Sequence, residues 1–109
     1  MLVLETRNGD FILSNATRID FYRREEKNVW IVSMSIDSFR FSIQSFDNTN
    51  DSFIFCQALR HQVLSCLEES ENESFDIYSL DSMCIKALDI VINGEDDSEI
   101  VSKTEMEDI

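Results

Sequence analysis

Apolar and polar residues alternate along the first half of the chain. In VWIVSMSI, Trp30, Val32, Met34 and Ile36 fall at every second position, and in FRFSIQSF, Phe39, Phe41 and Ile43 alternate with Arg40, Ser42 and Gln44. RIDFYRR places Ile19 and Phe21 on one side and Asp20 and Tyr22 on the other. A period of two marks strands with one covered face and one wet face. Upstream, MLVLET and DFILS flank Arg7-Asn8-Gly9. Asn-Gly between apolar runs signals a tight hairpin, because both residues tolerate positive φ. The pattern therefore predicts an antiparallel β-meander of about five strands within residues 1–46.

After the polar stretch DNTND the period changes. Phe55, Cys56, Leu59, Val63, Cys66 and Leu67 recur every three or four residues, which predicts an amphipathic helix over about residues 52–67, capped by Asp51 or Ser52. Its apolar stripe is what the covered face of a meander needs, so the helix is expected to lie on the sheet. SFDIYSL is a candidate extra strand. DSMCIKALDIVIN fits two readings: Cys84, Ile85, Leu88, Val91 and Ile92 suit a second helix closed by Asn93-Gly94, whereas Leu88, Ile90 and Ile92 suit a strand. The helix is the preferred reading of residues 83–92. The fold class is α+β, a single domain over residues 1–94, and residues 95–109 read as a mobile acidic tail.

Length and composition fit that picture. A chain of 109 residues with 43% hydrophobic residues and eight Phe can bury a core, while two Gly and no Pro leave no material for flexible or Pro-rich linkers. Apolar runs reach four or five residues, far below the roughly 20 that span a bilayer, and residues 1–30 lack a signal-peptide pattern. A cytoplasmic protein is expected. The odd set Cys56, Cys66 and Cys84, with no C-x-x-C, suits reduced thiols in a core rather than a disulfide framework. The acceptor tripeptides Asn15-Ala16-Thr17, Asn50-Asp51-Ser52 and Asn72-Glu73-Ser74 are then chance matches.

Charge changes the picture more. The net charge is −13. Residues 1–67 hold eight acids and seven bases, whereas residues 68–109 hold fourteen acids and only Lys86 and Lys103. A field of that sign opposes nucleic acid and anionic membranes and favours a cationic partner.

Motifs for chemistry are sparse. The single histidine, His61, lies in the helix between Arg60 and Gln62, with no nucleophile motif in the chain. Cys56 and His61 sit about 140° apart around a helix at 100° per residue, too divergent to share a metal. DNTND lacks the Gly and the terminal acid of a calcium loop, and two isolated Gly cannot form a phosphate loop. No catalytic residue, metal ligand or cofactor is assigned. Arg18, Arg23, Arg24 and Lys27 with Tyr22 suggest a single-strand nucleic-acid platform. The overall charge favours cross-strand pairing with Glu5, Asp20, Glu25 and Glu26 instead.

The stretch LEESENESFD concentrates five acids in ten positions. Glu68 and Glu69 fall at the predicted helix's carboxyl end, where the macrodipole disfavours an anion by roughly 0.3 to 1 kcal/mol. Glu69, Glu71 and Glu73 alternate, so an extended segment would space their carboxylates by about 6.6 Å, near the spacing of phosphates on one nucleic-acid strand. Local costs without a structural gain point to function. These residues, with Asp76, Asp81, Glu95, Asp96 and Asp97, form the candidate partner-binding surface. The expected function is a small acidic protein-binding inhibitor, not an enzyme, that occupies a basic partner such as a nuclease or other nucleic-acid-handling protein. Nucleic-acid mimics, anti-CRISPR and anti-restriction proteins of phage or mobile elements and toxin-immunity proteins are compact acidic chains of this kind, in size and charge alone. The alternative is a hydrophobic structural or adaptor module, with homodimerisation open and Phe46, Phe53 and Tyr78 as contacts.

Overall fold

Two-residue turns set the first registers. In the computed structural model, which describes residues 1–70 and 76–94, β1 (Leu2–Thr6) and β2 (Gly9–Leu13) pair antiparallel around Arg7-Asn8. Of the Asn-Gly pair only Gly9 takes a positive φ, 121°. β3 (Ile19–Glu26) turns into β4 (Val29–Ile36) through Lys27-Asn28, both left-handed (φ 53° and 67°), the geometry whose twist matches paired strands. β4 turns into β5 (Phe39–Phe46) through Asp37-Ser38, with Asp37 at φ 56°.

The five strands do not form one sheet. The Leu13-to-Ile19 connection is closed on itself by hydroxyls: Thr17 Oγ1 accepts from the Ser14 amide (2.9 Å) and Ser14 Oγ accepts from the Ala16 amide (3.2 Å). Its far end is tied to the β4–β5 turn, where the Asp37 amide donates to the Arg18 carbonyl oxygen (2.6 Å) and the Arg18 amide to Asp37 Oδ1 (3.1 Å). The chain thus leaves the first sheet, and the free edge of β1 is taken in parallel by β6 (Asp76–Ser79), which falls within the expected SFDIYSL strand. The two sheets have the orders β2-β1-β6 and β3-β4-β5.

The helices complete the core. α1 (Thr49–Glu69) starts earlier than residue 52 because Asn48, not Asp51 or Ser52, is the N-cap: Asn48 Oδ1 accepts from the Asp51 amide (2.8 Å). α2 (Leu80–Asn93) is the preferred helical reading; Leu80, Met83 and Ala87 lie on its buried side, Ser79 caps its start and left-handed Gly94 (φ 70°) closes it. α1 lies on β3, β4 and β5, α2 on β1 and β6, and the helices pack on each other. Leu2, Leu4 and Leu13 from one sheet meet Val32 and Met34 from the other, together with Phe55, Leu59 and Val63 of α1. Phe11 bridges the sheets by packing on Phe39 (5.4 Å between ring centres) and Phe41 (6.0 Å).

The alternation in FRFSIQSF breaks within β5. Ser42 pairs with Ser33 but Gln44 pairs with Val32, a bulge that leaves one extra residue on β5 and shifts the phase. Phe46, out of step with Phe39 and Phe41, thereby pairs with Trp30 and packs on Phe55 at 5.2 Å.

Candidate functional site

The acidic region begins where α1 ends. Glu68 and Glu69 are exposed in its last turn, which carries no basic residue, and neither makes an ion pair with a described residue. The buried Ser70 ends the helix, its amide donating to the Cys66 carbonyl oxygen (3.0 Å). Ser70 Oγ donates to Asp76 Oδ2 (2.9 Å), the Met1 amino nitrogen donates to the Ser70 carbonyl oxygen (2.7 Å), and the Asp76 amide donates to the Met1 carbonyl oxygen (3.3 Å). These bonds hold the end of α1 against the starts of β1 and β6, and both Glu69 and Asp76 lie near enough to act on the Cys66 thiol, whereas Glu68 stands on the outer face of α1 beside Arg60 and His61.

The thiols sense this environment. Burial pushes the Cys66 thiol up and the Glu69 carboxylate adds to the shift, while a hydrogen bond with Tyr78 and the charge of Lys86 work against it. Cys84 is pushed up to about 11, first by burial and then by Asp81. All three cysteines are free and at least half-buried, protonated at neutral pH and weak nucleophiles.

The other predicted site residues fall differently. Asp81 stands in the first turn of α2, past the far end of β6, and its Oδ2 pairs with Arg7 Nε at 3.4 Å between exposed side chains. A four-residue strand puts roughly 10 Å between Asp76 and that end, so Asp81 belongs to a separate patch. Glu71, Glu73, Glu95, Asp96 and Asp97 lie outside the described residues, as do the rest of the 95–109 tail and the start of SFDIYSL.

The basic cluster is divided by the sheet. Arg23 shares the inner face with its partner Val32 and lies between Trp30 (5.0 Å to the ring centre) and Phe53 (5.3 Å). Its guanidinium donates to Thr49 O, Thr49 Oγ1 and Ser52 Oγ at 3.0 to 3.2 Å, pinning the first turn of α1. The ion pairs of β3 run along the strand, Arg18 to Asp20 (3.0 Å) and Arg24 to Glu26 (3.3 Å), rather than across it. Residues two apart on a strand share a face, so these partners were already within reach.

His61 is exposed on α1 and lines a shallow depression of about 420 Å³ with Gln57, Arg60, Leu64, Ser65 and Glu68, all from one helix face. Cys56 points to the core on the other side. Among the described residues no group of His, Cys, Asp and Glu is placed to hold a metal ion, and no helix is long and apolar enough to cross a membrane. Of the aromatic contacts considered for an adaptor, Phe46 and Tyr78 pack against the core and Phe53 is 49% exposed beneath Arg23.

No family model, curated protein or solved structure matches the chain.

One surface was not apparent from the sequence. On the outward face of β2-β1-β6, Ile12 pairs with Val3 and Val3 with Ile77, while Glu5 pairs directly with Asp10. Ile12 and Ile77 are 63% and 59% exposed. The Asn8-Gly9 signal marks the hairpin but not its register, because the turn lies one residue earlier, at Arg7-Asn8, and so brings position 5 to 10 and 3 to 12. Ile77 joins only through the long-range parallel pairing of β6.

Proposed function

We propose that this protein is a non-enzymatic binding protein, an inhibitor that docks its acidic carboxyl-terminal half on a basic, nucleic-acid-handling partner. One observation carries the reading: fourteen of the 22 acids fall in residues 68–109 against two bases, and the first of them, Glu68 and Glu69, stand exposed at the negative end of α1 without a basic residue in that turn. Fold stability gains nothing from that placement; the helix dipole and mutual repulsion both oppose it. A partner's Lys and Arg side chains relieve both costs, and a concentrated negative field speeds their approach. Glu68, Glu69 and Asp76 form the ordered edge of the surface, with Glu71, Glu73, Glu95, Asp96 and Asp97 supplied by the neighbouring sequence. Direct binding to nucleic acid or to an anionic membrane is disfavoured by the same field.

The test is affinity capture at low and high salt with the wild type and a variant carrying Glu68→Gln, Glu69→Gln, Glu71→Gln and Glu73→Gln. A basic nuclease or nucleic-acid-binding protein held by the wild type, released by salt and missed by the variant is the expected result. A partner retained by both at high salt would replace this reading with a hydrophobic adaptor, for which Ile85 and Ile92, 66% and 76% exposed on α2, are a specific ground.

A further inference from the structure

We infer that the outward face of the β2-β1-β6 sheet is a docking face for a cationic amphipathic segment, a stripe of aliphatic side chains bordered by Lys or Arg. The inference rests on the cationic-partner reading above and adds to it the face, the residues and the chemistry of the contact.

Three features of this face point to that occupant. Ile12, Val3 and Ile77 stand in one row across three hydrogen-bonded strands, on the face opposite the core residues Leu2, Leu4 and Leu13, with Val3 buried between its two exposed neighbours. At about 4.8 Å between strands the row is roughly 10 Å long, the width of one helix or strand laid against it. The outer two side chains remain largely in water, 63% and 59% exposed, although a strand position normally buries or replaces such residues. Two positions along β1 lies the second feature: Glu5 and Asp10 face each other as a directly opposed cross-strand pair, an arrangement that destabilises the hairpin. Thirdly, the residues on this face are Val3, Glu5, Asp10, Ile12, Ile77 and Ser79, with no base among them to oppose a cation.

Charge selects among occupants. A second copy would bring Glu5 and Asp10 against an equally acidic surface, so self-association is opposed by the pair that favours a cation. A cation reaching Glu5 and Asp10 from an aliphatic stripe must sit about 6.6 Å from the isoleucine row, a distance that Lys or Arg one helical turn from a Leu spans.

The test uses the full chain labelled at isoleucine δ1 methyls, titrated with a Lys/Leu amphipathic helical peptide and, separately, with a polylysine of equal charge at about 150 mM salt. The amphipathic peptide is expected to move the Ile12 and Ile77 signals saturably and to leave Ile85 and Ile92, exposed on the opposite layer, unmoved. The double substitution Ile12→Thr with Ile77→Thr should weaken that peptide about tenfold and leave polylysine binding unchanged. Methyl shifts at Ile85 and Ile92 instead, or equal binding of the peptide by wild type and double variant, would overturn the inference. Concentration-dependent shifts of Ile12 and Ile77 without peptide would overturn it in favour of a second copy. Polylysine binding without any response at Ile12 or Ile77 removes this inference alone; binding of neither probe removes the cationic-partner reading with it.

Discussion

The two sheets meet over one core but present opposite characters to solvent. On the outward side of β3-β4-β5 the cross-strand rows are Asp20, Ser35 and Arg40; Tyr22, Ser33 and Ser42; and Arg24, Ile31 and Ser45. Small hydroxyls fill the centre, charges of both signs line the rim, and Arg18–Asp20 and Arg24–Glu26 pair locally. On β2-β1-β6 the corresponding rows are Ile12, Val3 and Ile77, and Asp10 with Glu5. The first surface carries charges of both signs around a centre where Ser33 and Ser35 are buried. The second carries exposed aliphatic area and uncompensated like charge, two costs that a monomer would lose by ordinary substitution. The docking proposal accounts for the presence of both on one face and of neither on the other.

Substitutions probe this contrast from the core outward. Phe55→Ala, which empties the point where α1 meets Phe46 and the β3-β4-β5 sheet, is expected to cost about 3 to 5 kcal/mol in urea unfolding. A loss below about 1 kcal/mol would mean that the sheets do not share the core described. Arg23→Ala should cost about 1 to 2 kcal/mol, because it removes the bonds to Thr49 and Ser52 and the stacking between Trp30 and Phe53. If Arg23 instead served nucleic-acid binding, its loss would leave unfolding unchanged.

The two outward faces respond to smaller changes. Ser33 is 2% exposed and its Oγ has no hydrogen-bond partner, so Ser33→Ala should raise stability by about 1 kcal/mol, read as a higher urea midpoint. A fall would show that the β3-β4-β5 face depends on this hydroxyl. Glu5→Lys converts the opposed Glu5–Asp10 pair into an attractive one and should stabilise the hairpin by about 0.5 kcal/mol, with amide exchange in β2 slowing accordingly. A destabilised hairpin would indicate that the like charges are compensated in the free protein, which weakens the contrast between the faces.

Much of the architecture was legible in residue order, because alternation and helical spacing report burial directly. Trp30, Val32, Met34 and Ile36, and Phe55, Leu59 and Val63, announce which side each element buries. Pairing partners were not legible. β6 joins β1 across more than seventy residues, and nothing local distinguishes that from a sixth meander strand. The bulge after Ser42 moved Phe46 into phase with the core, a change that periodicity reads as noise. Arg23 looked like one member of a basic cluster, since its neighbours Arg18 and Arg24 are exposed, yet its place beside Val32 turns it inward.

The candidate site divides in the same way. Acid excess is a property of composition, so Glu68, Glu69 and Asp76 were visible as charge and the structure adds the ties through Ser70 and Met1 that hold Asp76 at the end of α1. Asp81 shared the composition but not the place, because a strand separates it from Asp76. The isoleucine row and the Glu5–Asp10 pair required cross-strand register, which a linear pattern does not contain.

The most direct measurement of the central claim is the dissociation constant for the captured basic partner between about 50 and 500 mM salt, for the wild type and for the four-Gln variant at positions 68, 69, 71 and 73. A wild-type affinity that falls at least about tenfold over that range, with a variant that binds weakly from the start and responds little to salt, is the expected result. Equal affinities for the two proteins, flat across the same range, would contradict docking through the acidic surface.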